Sequence, residues 1–170
     1  MQDVREHLEL QFGNAPSLPP QNVEAEEAIL GGILLDPEAI TRVVDMIRPE
    51  AFYILAHQEI YKACLALHLQ GQPTDLIHVS GWIRDHGLMT KTGGDSKLVQ
   101  LVDRTVSAIN IDRYAMLVAD KWKRRRLIHV GNEIAQLGYE TARSLDDVLN
   151  ECEQKLFEIS HARTDKTPKS

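Results

Sequence analysis

From residue 22 onward, apolar positions recur every three or four residues, the period of a helix with one buried face. Ile29 with Ile33 and Leu30 with Leu34 are two such pairs. Asn22 stands ahead of them as an N-cap. Glu24, Glu26 and Glu27 follow in the first turns, where the helix dipole favours anions. Asp36-Pro37 closes this helix and opens a second, because Asp36 is a capping residue and Pro37 suits the first helical position. Ile40, Val43, Val44 and Ile47 carry the stripe on until Arg48-Pro49 stops it.

The segment "HQEIYKACLALHLQG" predicts a third helix with Ile60, Cys64 and Leu67 on one face and Gly71 at its end. Pro73-Thr74-Asp75 reads as a turn and cap, "LIHVSGWIRDHG" as a fourth helix ended by Gly87. Gly93-Gly94 reads as a loop before "SKLVQLVDRTV", a fifth helix carrying Leu98, Leu101 and Val102.

Asn110 then caps something longer. From Ile111 to about Tyr139 there is no proline and no strong stop, so one helix of about 28 residues, roughly 40 Å long, is expected. Gly131 weakens it without breaking it. After a turn near "YETARS", Ser144 and Asp147 have capping-box spacing. Leu145, Leu149, Cys152, Leu156 and Ile159 follow in a 4, 3, 4, 3 rhythm, the seam of a helix folding back on the long one. The fold class is therefore all-α: a compact bundle of short helices over residues 22–106, then an antiparallel helical hairpin over 110–161. Residues 1–21 read as a tail closed by Pro19-Pro20, and 162–170 as the start of a polar linker.

Composition agrees with an all-helical chain able to bury a core: 43% of the 170 residues are hydrophobic and only 5% aromatic. A net charge of −6 argues against non-specific DNA binding over the whole surface, though not against a local basic patch. Cys64 and Cys152 fall on apolar stripes without a CxxC partner, which suits a reducing compartment. No apolar run is long enough to suggest a membrane span, and the N-terminus lacks the apolar core of a signal peptide.

The glycine pair inside "VEAEEAILGGILLD" invites a phosphate-loop reading. That motif needs GxxxxGK[ST] after a strand, and neither the lysine nor the strand is present. Gly31 and Gly32 instead read as packing residues, with Ala25, Ala28 and Gly32 forming a small-residue strip where a neighbouring helix comes close. "DKWKRRRL" holds five cations in six residues. It admits a solvated arm braced by an Asp120–Arg124 helical ion pair, a protein-partner surface, or phosphate contact through Lys121–Arg126. The seven histidines show no metal-ligand spacing, so no metal site is expected. No nucleophile motif appears, and Glu26, Glu27 and Asp36 read as helix-end charges rather than an acid–base pair.

The order of segments goes further. "PPQNVEAEEAILGGILLD", "AFYILAHQEIYKACLAL", "PTDLIHVSGWIRDHGLMTKTGG", "SAINIDRYAMLVADKWKRRRLIHVGNEIAQLGYE" and "VLNECEQKLFEIS" together resemble the N-terminal domain of bacterial DnaB-type replicative DNA helicases. The resemblance covers about residues 18–163. It implies a collar domain of a hexameric ring that assembles as dimers and as a trimer of dimers and docks the C-terminal helicase-binding domain of primase at the fork, in the cytoplasm. It implies that ATP and Mg serve a RecA-like motor domain outside these residues, that DNA is engaged only by the full-length ring, that no membrane is involved, and that this segment has no cofactor and no enzymatic activity of its own. In the family the glycine pair lies inside the first bundle helix and serves close packing. Departures are local. Lys97 precedes Leu98 where an aromatic is often found. Val106 replaces a proline, and Lys123 and Arg124 replace residues that are often apolar.

The hairpin is then expected to carry the partner and oligomer contacts. Leu127 and Ile134 are seven apart on one helix face with Ile128 beside them, and Trp122, Arg124 and Arg125 lie just before. Ile128 and Ile134 are the expected anchors. Because no phosphate-loop lysine stands in a glycine frame, calorimetric titration of the 170-residue chain with ATP and magnesium is expected to show no binding. A micromolar affinity would refute this.

Overall fold

The computed structural model describes residues 18–161. The expected tail as far as residue 17 and the expected linker start from 162 lie outside them. Among the described residues every regular element is helical: α1 (Val23–Leu35), 3₁₀ segments at Pro37–Arg42 and Pro49–Ala51, α2 (Leu55–Leu69), α3 (Leu76–Asp85), α4 (Met89–Thr92), α5 (Gly94–Asp103), α6 (Ile111–Leu137) and α7 (Leu145–His161).

Local signals account for most boundaries. Asn22 Oδ1 accepts the Ala25 N–H at 3.0 Å and starts α1. Asp36 ends α1 and accepts the Glu38 N–H at 3.1 Å. The segment it opens is 3₁₀ and then turn, rather than a second α-helix reaching Ile47. Its β-branched Ile40, Thr41, Val43 and Val44 are weak helix formers. The tighter winding also lines up residues three apart, so that Ile40 and Val43 both enter the core. α2 ends in a Schellman motif: Gly71, at φ +68, donates to His68 O while Gln72 donates to Leu67 O. α3 ends the same way, with Gly87 donating to Arg84 O and Leu88 to Ile83 O. The single-turn α4 was not expected from the sequence; its buried Thr92 donates back to Leu88 O at 2.9 Å.

The core is built from α1 (Ile29, Leu30, Ile33), the 3₁₀ turns (Ile40, Val43, Ile47, Phe52), α2 (Ile60, Tyr61, Cys64), α3 (Val79, Ile83) and α5 (Leu98, Leu101). Ile111, Ala115 and Val118 of α6 belong to it as well, so the long helix is shared between bundle and hairpin. Tyr61 packs on Phe52 at 5.0 Å and donates its hydroxyl to Ile47 O.

α1 sits at the centre, and its two glycines face different neighbours. A Cβ on Gly31 would lie 1.9 Å from Thr105 Oγ1 and 2.5 Å from Leu101 O, at the end of α5. One on Gly32 would lie 3.3 Å from Ile111 Cδ1 and 3.4 Å from Ala108 Cβ, at the start of α6. The loop between α5 and α6 is then clamped. Arg42 donates to Ala108 O (3.2 Å) and Ile109 O (2.9 Å) and pairs with Asp112 at 2.6 Å. This clamp holds the start of α6, because Asn110 occupies the N-cap position without a side-chain bond to the helix.

α6 runs 27 residues without a break, and Gly131 lies inside it with nothing within 4 Å of where a Cβ would be. Ser144 Oγ accepts the Asp147 N–H at 3.2 Å and starts α7. The face that α7 turns to α6 differs from the expected seam. Val148 and Ile159 are buried and Cys152 is partly so, whereas Leu145, Leu149 and Leu156 are exposed. Val148 is four before Cys152, so the true seam is rotated from the leucine line.

Gly31→Ala is expected to destabilise the domain by about 1–3 kcal/mol, since the methyl meets a carbonyl and a hydroxyl with no room to retreat. Gly32→Leu is expected to overpack to a similar extent. Gly131→Ala should raise stability by about 0.5–1 kcal/mol. Thermal melts followed by circular dichroism rank the three; an unchanged midpoint for Gly31→Ala would contradict the packing described.

Candidate partner interface

α6 advances about 100° per residue. On that wheel Ile111, Ala115, Val118 and Trp122 form the bundle face, and Trp122 packs partly buried against the core. Leu117, Arg124, Leu127, Ile128 and Gly131 lie on the opposite side and are exposed, Leu127 and Ile128 each at 52%. Ile134 is half-buried at the edge of the α7 contact.

The hairpin has two unlike flanks. One is a polar cleft lined by His129, Asn132, Glu133, Gln136, Glu151 and Lys155. Lys155 Nζ lies 3.0 Å from Glu133 Oε2, and His129 Nε2 3.1 Å from Glu133 Oε1. The Lys155 bond holds the Glu133 carboxyl below its ordinary range and raises Lys155 in return. On the α7 wheel, Leu145, Leu149 and Leu156 fall on the other side of the seam from Glu151 and Lys155. They therefore share the second flank with Leu127 and Ile134 of the antiparallel α6. That flank is an apolar strip that nothing in the chain covers among the described residues, since Leu145, Leu149 and Leu156 are exposed.

The basic segment separates into distinct roles. Arg124 pairs with Asp120 at 2.9 Å on the outer face. Arg125 points the other way. It donates to Pro20 O at 2.7 Å and Ala51 O at 2.8 Å, and its guanidinium lies 5.4 Å from the Tyr53 ring centre. Burial pulls Arg125 below its ordinary value, with Glu26 and Tyr53 acting in the opposite sense. Arg126 lies over the Trp122 ring at 5.1 Å. Three of the five cations are thus committed within the chain, which leaves no continuous basic stripe for phosphate. Ala28 lies half-buried on α1 beside Gly31 and Gly32.

Sequence reasoning missed two features of this junction. Glu26, read as an end charge of its own helix, is 1% exposed. Its carboxylate accepts the N–H groups of Tyr53 (2.8 Å) and Ile54 (3.3 Å) and the Nδ1–H of His57 (2.9 Å). It therefore caps α2, whose own N-cap Ile54 has no capping side chain. The other is the Arg125 staple, whose partners are 105 and 74 residues away. No local pattern announces either. Between these groups lies an open cleft of about 380 Å³ lined by Glu50, Tyr53, Trp122, Arg125, Arg126 and His129, among others.

The family model described as the DnaB-like helicase N-terminal domain matches residues 18–120. The chain belongs to this family. Replicative DNA helicase DnaB of a Nostoc species is 58% identical over 160 residues, 94% of this chain and 18% of that protein. Replicative DNA helicase DnaC of Bacillus subtilis is 39% identical over 146 residues, 86% of this chain and 32% of that protein. The chain thus spans roughly a fifth to a third of these relatives' lengths. The crystal structure of the N-terminal domain of DnaB helicase from Mycobacterium tuberculosis superposes with a TM-score of 0.77 at 35% identity, covering 83% of this chain and 99% of that one. A DnaB-like replicative helicase, described with its interactions with primase, superposes with a TM-score of 0.71 at 26% identity over 88% of this chain and 33% of that one.

Burial pushes the Cys64 thiol up to about 12, which keeps it protonated and unreactive. Among the described residues no cluster of His, Cys, Asp and Glu could hold a metal ion, and no helix is long and apolar enough to cross a membrane.

Arg125→Ala should lower stability by about 2 kcal/mol, because it removes two charge-assisted bonds to partly buried carbonyls. Arg124→Ala should stay within about 0.5 kcal/mol, as exposed helical ion pairs do. Parallel denaturant titrations measure both; equal effects would contradict the assignment of Arg125 as the staple.

Proposed function

We propose that this chain is the N-terminal collar of a hexameric replicative DNA helicase, bringing copies together through its hairpin and receiving primase at the replication fork in the cytoplasm. Family membership supports the replicative setting. The observation that carries the contact itself is the uncovered apolar strip of Leu127, Ile134, Leu145, Leu149 and Leu156. An antiparallel hairpin with one polar and one apolar flank buries the second by pairing with another hairpin. A self-complementary contact of this kind builds a dimer, and a second, different contact is needed to join three dimers. The likeness to a helicase described with primase supports primase, through its C-terminal helicase-binding domain, as the partner for what the copies leave exposed, including Arg124 and Ile128. ATP and Mg act in the motor region of such a protein, and DNA passes through the assembled ring. The fate of the basic segment weighs against an independent nucleic-acid-binding role, because Arg124, Arg125 and Arg126 are already engaged.

Leu127→Ala with Leu149→Ala should remove about 2 kcal/mol or more of contact energy if both are anchors, weakening self-association at least about 10-fold. The bundle should keep its helix content, since neither residue contributes to the core. Sedimentation over a concentration series, beside circular dichroism, tests this. Unchanged association would remove the hairpin flank as the oligomer contact. Replacing Ile128 by Ala and repeating the measurement with the primase domain then tests the partner assignment, with undiminished primase binding counting against it.

A further inference from the structure

The hairpin flank is not the only apolar surface left uncovered. The loop between α5 and α6 carries Val106 and Ile109, 96% and 71% exposed. The backbone beneath them is fastened. Arg42 donates to Ala108 O and Ile109 O, Ser107 Oγ accepts the Ile109 N–H at 3.1 Å, and Thr105 Oγ1 donates to Leu101 O at 2.8 Å. Side chains presented on a fastened loop lose less freedom when a partner buries them.

Beside these two projections lies a cleft of about 480 Å³ between the loop and α1. Its wall combines Ala28 and the half-buried Tyr114 with Glu24, Glu27 and Arg104. Glu27 holds Arg104 at 3.0 Å and Lys97 at 3.8 Å. Glu24 is exposed and has no ion pair among the described residues. Outside the cleft, one turn on from Ile109 at the start of α6, Arg113 is exposed and likewise unpaired among the described residues. Projection and recess thus lie side by side, with an unmatched cation next to the first and an unmatched anion in the second.

That combination fits a second copy of the same surface, in which each chain supplies what the other lacks. A different partner would use only one of the two halves. We propose that two copies of this chain meet through the α5–α6 loop, Val106 and Ile109 of each entering the α1 cleft of the other and Arg113 of each facing Glu24 of the partner subunit. The contact lies about five helical turns from Leu127 along α6, so it leaves the hairpin flank free. Its role as the second contact that joins hairpin dimers rests on the collar reading above; the contact itself does not.

Sedimentation over a concentration series tests the proposal on the full 170-residue chain and on the chain weakened at its hairpin by Leu127→Ala with Leu149→Ala. In both, Glu24→Lys and Arg113→Glu are each expected to weaken this contact at least about 10-fold, because the pair occurs twice across a two-fold and attraction becomes repulsion. Combining the two changes restores opposite charges and should return association toward the starting value, a recovery that mere damage to the fold does not give. Equal association in all four chains would overturn the proposal, as would a double variant no stronger than the singles. Complete loss of association on weakening the hairpin would overturn it too, and would leave the hairpin reading standing. Charge-dependent association that the hairpin changes leave untouched would support it and reject the hairpin reading. Should either charge change reduce helix content, disulfide trapping decides the matter. Chains carrying Glu24→Cys and Arg113→Cys, each in a Cys152→Ser background where buried Cys64 does not react, are mixed under mild oxidation. A mixed disulfide supports the contact; its absence rejects it.

Discussion

At Gly31 the backbone of α1 meets the Leu101 carbonyl and the Thr105 hydroxyl with no space for a methyl group between them. That contact seats the end of α5 against the central helix. One residue on, Gly32 admits Ala108 and Ile111 from the next loop and the start of α6. Two adjacent glycines on one helix thus position two successive elements. Arg42 then binds the carbonyls of the intervening loop, and the direction in which α6 leaves the bundle is set. Because α6 is continuous for 27 residues, a displacement at its root would be carried along its length. The arm that presents the hairpin inherits its placement from a glycine contact far from its tip.

Charge is used inside the domain to fasten elements rather than to perform chemistry. Glu26 reaches from α1 to the open N-terminus of α2 and to Nδ1 of His57. Arg125 reaches from α6 to two loop carbonyls. Together they join the segment before α1, the 3₁₀ turn before α2, and the long helix. Both are ionisable groups taken partly or wholly out of water, an arrangement that holds only when their hydrogen-bonding capacity is met. The outer surface shows the complementary choice. Exposed pairs such as Arg124–Asp120 contribute little energy, while the leucines of the apolar flank lie exposed.

Most of the fold was legible because its boundaries are set by neighbours in sequence. Asn22, Asp36-Pro37, Gly71 and Gly87 each act on residues within a turn of themselves, and the unbroken run after Ile111 could form only a long helix. The expected α-helix to Ile47 failed because its β-branched residues wind more tightly to fill the core. The seam of α7 held at Cys152 and Ile159 and failed at its leucines. Leu145, Leu149 and Leu156 keep coiled-coil spacing, and spacing alone does not say whether a stripe meets its own chain or another. In this case Val148 is buried and the leucines are left exposed. The glycine pair was legible as packing because the phosphate-loop alternative lacked its lysine and strand. Glu26 and Arg125 were not legible as fasteners, since their partners are distant in sequence.

The central claim is that the apolar flank of the hairpin faces another copy while the polar flank does not. Disulfide trapping between copies tests it directly. In a Cys152→Ser background, a cysteine at Leu149 on the apolar flank should give a covalent dimer on mild oxidation, and one at Gln136 on the polar flank should remain monomeric under the same conditions. Dimers from position 136 with none from position 149 would contradict the account.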